Sequence, residues 1–188
     1  MAKVAEAARS GVDYVQLREK DLASRDLENF ARLIVQRVRD ARGNTRVLLN
    51  SRTDLALAVG ADGVHLRSGD ISSADARKIW RTADQGTKGA RSEPVIAVSC
   101  HNQNEVKAAK SAGANFVVFG PVFEKSGSPE VGLSGLRAAC AHGIPVLALG
   151  GVNAGNASSC LEVGAAGIAG IRLFQKGSIA ETVRRLRG

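Results

Sequence analysis

The chain has 188 residues, enough for one domain with a sizeable core, and a hydrophobic content of 44% with only four prolines excludes a disordered or low-complexity protein. A net charge of +8 raises nucleic acid as a partner, but the basic residues are spread through helical stretches without the aromatic interleaving that stacks bases. The charge therefore reads as a solvated surface or as a pocket for small phosphate-bearing molecules.

The chain opens on "AKVAEAARSG", the second half of a helix by its pattern, and a strand is predicted over 12–17. Helices then alternate with strands: helix 25–40, strand 46–50, helix 52–59, strand 63–66, helix 72–83, strand 94–98, helix 102–112, strand 115–119, helix 133–141, strand 145–149, helix 154–163, strand 166–171 and helix 177–186. Strict alternation requires parallel strands joined by helical crossovers, and strands apolar on both faces require helices outside the sheet. A weak repeat agrees: "SGVDYVQL", "VGADGVHL", "AGANFVVF" and "VGAAGIAG" each place a helix-ending glycine just before a strand. The predicted fold class is α/β, a (β/α)8 TIM barrel. Seven strands are visible where eight are needed, so a barrel lacking its first strand is expected, over a single domain spanning 1–188, N-terminally incomplete. Only 84–93 reads as loose and polar. No apolar run approaches 18 residues and no signal-type h-region opens the chain. Cys100, Cys140 and Cys160 form no CxxC, so neither a disulfide framework nor a zinc site is suggested. The expectation is a cytoplasmic protein without membrane or nucleic-acid partners, and a homodimer is left open.

In such barrels the site lies at the C-terminal ends of the strands. In "GVDYVQLREKDL" the residues Gln16, Arg18 and Lys20 share one parity, so a continuing strand would aim all three to one side. Two aligned cations repel unless an anion sits between them; the alternative is a strand end fraying into solvent. The next strand ends contribute Asn50 and Ser51, then His65, Arg67 and Asp70, then Ser99, Cys100 and His101. Asp70 reads either as the N-cap of the 72–83 helix or as a metal ligand. His65 reads as wall more than catalyst, while His101 is a cap-region residue or an acid/base group. After these come the loop "GPVFEKSGSPEVG" with Lys125, the turn Gly150–Gly151 and Arg172. A double glycine before a helix is a turn or a close backbone approach to an anion, at the address where barrels often hold phosphate.

The stretches "VQLREKD", "ADGVHL", "FVVFGPVF" and "ALGGVN", in that order, make nearly the whole chain similar to the thiamine phosphate synthase family. Two activities are known in that superfamily. One joins a pyrimidine pyrophosphate to a thiazole phosphate with release of pyrophosphate; the other, a thiazole tautomerase, isomerises the thiazole phosphate. The resemblance implies pyrimidine and pyrophosphate contacts at Gln16, Arg18, Lys20 and Asn50, a Mg2+ ligand at Asp70, a substrate contact at Ser99, and a thiazole phosphate on the amide of Gly151. It gives the opening cations their anion, a pyrophosphate, with Arg18 and Lys20 in the catalytic role.

The departures are specific. Ser51 stands where the synthases carry an aspartate, so the Mg2+ site is expected to be weakened. "FEKSGSPEVG" replaces a threonine-rich loop bearing a lysine, and Lys125 matches that lysine in charge but not in position. Arg172 replaces a serine that helps hold the thiazole phosphate, and "HLRSGD" lacks the usual Gly-Gln. "SCH" and "VFE" lean toward the tautomerase, in which His101 is the expected proton shuttle. The favoured expectation is the synthase, a transferase acting on small phosphorylated substrates with Mg2+. The tautomerase is the alternative, and a non-catalytic phosphate-binding barrel is a third reading from another class.

Overall fold

The computed structural model describes residues 1–84, 92–123, 130–175 and 177–188. After α1 (Ala2–Arg9) come β1 (Tyr14–Leu17), α2 (Ser24–Asp40), β2 (Arg46–Asn50), α3 (Thr53–Val59), β3 (Gly63–Leu66), α4 (Ser73–Asp84) and β4 (Val95–Cys100). The second half holds α5 (Gln103–Ser111), β5 (Phe116–Phe119), α6 (Gly132–Cys140), β6 (Val146–Ala148), α7 (Ala157–Glu162), β7 (Gly167–Ile168), α8 (Arg172–Gln175) and α9 (Ile179–Arg187).

Among the described residues seven strands form one sheet in sequential order, and every neighbouring pair is parallel. This is the barrel-type α/β arrangement the alternation predicts. Among the described residues no ladder joins β7 to β1, so the sheet is open along that seam.

The helices form because their apolar positions recur at helical spacing. In α2 the buried residues are Leu27, Ala31, Ile34, Val35 and Val38, one stripe that faces the sheet. They pack with Val47, Leu49, Val64, Leu66 and Ile96, and a second cluster built on Val117, Phe119, Val146 and Leu136 covers the other half. A third cluster, Leu48, Val95, Ala97, Phe116 and Val118, lies on the opposite parity of the same strands and fills the interior. Burial on both faces is why the strands read as continuous apolar runs. The repeated glycine also behaves as the sequence suggested: Gly11, Gly60, Gly113 and Gly164 have φ of 77°, 66°, 79° and 105°. That left-handed turn ends each helix and returns the chain to the next strand, and other L-residues adopt it only at a cost.

Several boundaries differ from the sequence reading. β1 stops at Leu17, so Arg18 and Lys20 lie beyond the strand and its parity does not extend to them. β7 is two residues long, paired only through Leu147↔Gly167 and Ala148↔Ile168. The short helix α8 follows it and was not foreseen. Most of the expected loose stretch 84–93 falls outside the described residues.

Candidate active site

Strand register decides which polar side chains share the interior. Gln16 pairs with Leu48, Asn50 with His65, His65 with Ala97, and Ser99 with Val118. Leu48, Ala97 and Val118 belong to the inner cluster, so Gln16, Asn50, His65 and Ser99 stand on the same inner face. They form its last layer, at the C-terminal ends of β1 to β4, directly above an apolar floor.

A hydrogen-bond chain ties this layer together. The Gln16 amide donates to Asn50 Oδ1 at 2.9 Å, Asn50 Nδ2 donates to Ser51 Oγ at 2.9 Å, and Ser51 donates to Asp70 Oδ2 at 2.5 Å. Asp70 also accepts from the Arg67 backbone N–H at 2.7 Å and from Arg67 Nη2 at 2.9 Å. Burial alone would raise the Asp70 carboxyl, but the Arg67 and Ser51 hydrogen bonds outweigh it and hold the group below the usual carboxylate range. Ser51 has φ of 60°, a left-handed conformation uncommon for a non-glycine residue and enriched at functional sites. Asp70 does not cap α4. Ser72 does, its hydroxyl accepting from Asp75 N at 3.1 Å.

The two histidines separate clearly. His65 is 6% exposed, and its Nε2 shares a 2.9 Å hydrogen bond with Ser99 Oγ. Burial, helped by the nearby Arg18 charge, lowers its pKa to about 4, so the ring is neutral at pH 7 and serves to orient Ser99. His101 is exposed, one residue past β4. The α5 cap is Asn102, whose side chain accepts from Glu105 N, while Glu105 reaches back to the His101 backbone N–H. The His101 side chain is thus not needed for capping. Its Nδ1 lies 2.6 Å from the Gly120 carbonyl, which selects the Nδ1–H tautomer and leaves Nε2 as the basic nitrogen.

The double glycine is explained by close packing. Gly150 and Gly151 have φ of 93° and 65°, and a Cβ would lie 2.5 Å from Pro121 Cα and 2.6 Å from Phe123 Cβ respectively. Phe123 N donates to the Gly150 carbonyl at 3.0 Å, holding the two loops together. Gly151→Ala is expected to cost about 1 to 2 kcal/mol from the left-handed conformation, before any effect on a bound anion. A urea-denaturation midpoint equal to that of the parent would contradict this. α7 begins at Ala157, three residues later than the pattern suggested. Arg172 opens α8 four residues past the end of β7 and is exposed. Arg18 and Lys20 are exposed beyond β1, with Arg18 close enough to His65 to act on its ionisation. Lys125 lies outside the described residues. Arg67 was visible as a polar residue after β3; its partnership with Asp70 was not read, although the spacing Arg-x-x-Asp was its signal.

The family described as thiamine monophosphate synthase matches residues 1–174. The chain belongs to this family. It is 42% identical over 175 residues to a putative thiamine-phosphate synthase of Geobacter sulfurreducens, covering 90% of this chain and 76% of the relative. To the thiamine-phosphate synthase of Clostridium novyi it is 38% identical over 178 residues, 92% of this chain and 81% of that one. Among solved structures, the thiamine phosphate pyrophosphorylase from Pyrococcus furiosus superposes with a TM-score of 0.82 at 28% identity, covering 99% of this chain and 86% of the other.

The thiamine monophosphate synthase family is generally Mg2+-dependent. The described residues do not fit a bound Mg2+. Mg2+ is usually held by one or two carboxylates together with substrate phosphates, so the question turns on Asp70. Asp70, the expected ligand, already gives both oxygens to Arg67 and Ser51. A hard cation needs free anionic oxygens, and here it would meet a guanidinium. No helix among the described residues is long and apolar enough to cross a membrane.

Proposed function

We propose that this single-domain chain is a thiamine-phosphate synthase, a transferase of the cytoplasm that joins a hydroxymethylpyrimidine pyrophosphate to a thiazole phosphate and releases pyrophosphate. The observation that carries the reading is the convergence of Gln16, Asn50, Ser51 and Asp70 at the strand ends beside Arg18, in a chain the family matches over residues 1–174.

Coupling requires the bond between the pyrimidine methylene and the pyrophosphate oxygen to break. The electron pair leaves with pyrophosphate, and the thiazole nitrogen then attacks the methylene with its lone pair. No general base is needed for that nucleophile. The work of this chain is electrostatic and positional: Arg18 and Lys20 stabilise the leaving charge, Gln16 and Asn50 align the pyrimidine, Ser99 contacts substrate, and the Gly151 amide with Arg172 holds the thiazole phosphate. Lys125 is assigned to the same anionic surroundings. The test is an assay of the purified protein with both substrates, with and without Mg2+. Formation of thiamine phosphate with stoichiometric pyrophosphate is expected, and none under either condition overturns the reading.

One observation favours the tautomerase as the second reading. With Nδ1–H engaged by Gly120, His101 offers Nε2 to take a proton from one ring position and return it at another. An assay on the thiazole tautomer alone separates the two. If His101→Ala abolishes isomerisation and the parent shows no coupling, the tautomerase replaces the synthase.

A further inference from the structure

The Asp70 carboxylate is saturated. Oδ2 accepts from Ser51 Oγ at 2.5 Å and from Arg67 N at 2.7 Å, and Oδ1 accepts from Arg67 Nη2 at 2.9 Å and from Arg67 Nε at 3.2 Å. The Asp70 side chain is only 11% exposed, while that of Arg67 is 61% exposed. The carboxylate is therefore the inner member of the pair and the guanidinium the outer one. Nε and one N–H of Nη2 are spent on Asp70. Among the described residues, both N–H groups of Nη1 and the second of Nη2 remain unspent, a planar donor edge suited to two phosphate oxygens.

Ser51 completes the logic. A hydroxyl at this position donates to Asp70. A carboxylate there would repel Asp70 unless a cation or a shared proton lay between them. Serine at 51 and arginine at 67 thus solve one electrostatic problem together, the first by removing an anion and the second by supplying a fixed cation.

We propose that Arg67, held by Asp70 and Ser51, occupies the electrostatic place of a divalent cation, so that this site binds a pyrophosphate group without metal. Arg67 acts with Arg18 and Lys20 on the leaving group, and Asp70 is a positioning residue that aims the guanidinium. Glu19, between Arg18 and Lys20 in the chain, accepts the backbone N–H groups of Lys20 and Asp21. This inference rests on the synthase reading for the identity of the anion.

The experiment is calorimetric titration of inorganic pyrophosphate into the full chain, once with EDTA and once with Mg2+, free pyrophosphate being corrected for its own Mg2+ complex. The parent is expected to bind in EDTA and to gain less than about twofold from Mg2+. Arg67→Gln should weaken binding in EDTA by at least about tenfold, the scale of a lost charge-assisted hydrogen bond, and Arg67→Lys should recover part of it. The double variant Ser51→Asp with Arg67→Gly should bind Mn2+ in the presence of pyrophosphate, read by electron paramagnetic resonance, where the parent does not. Circular dichroism at matched temperature checks that each variant is folded. Binding by the parent confined to Mg2+, or unchanged affinity in Arg67→Gln and Arg67→Lys, overturns the inference alone. No pyrophosphate binding by the parent in either buffer overturns it together with the synthase reading.

Discussion

Arg18→Ala and Lys20→Ala are each expected to slow coupling about a hundredfold, a loss of roughly 3 kcal/mol of transition-state stabilisation. The reason is differential: the leaving pyrophosphate grows more negative as the C–O bond breaks, so a cation beside it gains more in the transition state than in the ground state. The effect should fall on kcat as well as on KM. His101→Ala should cost much less, because coupling has no obligatory proton shuttle there. The reverse order, with His101→Ala severe and the two cation variants mild, would assign the site to the tautomerase. Arg18→Ala carries a second signature independent of turnover. The Arg18 charge is one of the causes that lower His65 to a pKa of about 4, so removing it should move the His65 titration upward, as read by NMR.

The stability of the protein is expected to fall by about 3 kcal/mol as pH drops from 6.5 to 4, through His65 alone. In the folded chain the ring titrates at about 4, and its ordinary value is 6.5. The folded pKa is the depressed one, so between these values the unfolded chain binds the extra proton. The contribution is complete above pH 6.5 and is lost as pH falls through the folded pKa. Asp70, Asp54, Glu6 and Glu93 also have lowered pKa values and add their own acid destabilisation. The difference between the parent and His65→Asn isolates the histidine. Urea midpoints at pH 7 and pH 4.5 should converge between the two proteins on acidification, and parallel curves would refute the assignment.

The central strands were legible to the residue. Arg46–Asn50 and Gly63–Leu66 match the sequence reading because each is a compact apolar run closed by a polar residue or opened by a glycine. The end of the sheet was not legible. "AAGIAGI" is apolar throughout, so its pattern does not show where pairing stops. Among the described residues β7 pairs with β6 alone and keeps two ladder positions. The predicted strand over 166–171 absorbed residues that instead lead into α8. At the site, the strand-end rule picked out Gln16, Asn50, His65, Ser99 and Asp70, and the structure places them at neighbouring strand ends and turns. What it could not supply was pairing. That His65 bonds Ser99, and that Arg67 pairs with Asp70, depends on side-chain directions across neighbouring strands and turns. Linear spacing carries only a hint of either.

The bonds from Gln16 to Asp70 all run one way: each group donates to the next, and the series terminates on a carboxylate. An amide can be turned end for end at little steric cost, so neither Gln16 nor Asn50 fixes its own polarity. Asp70 fixes both, because an anion can receive but not give. The Gln16 amide is consequently held with Nε2 toward Asn50, which leaves Oε1 and the second N–H of Nε2 unspent by this series. Asp70→Asn would free the series to invert. The polarity of the Gln16 amide is thus set by a residue three hydrogen bonds away.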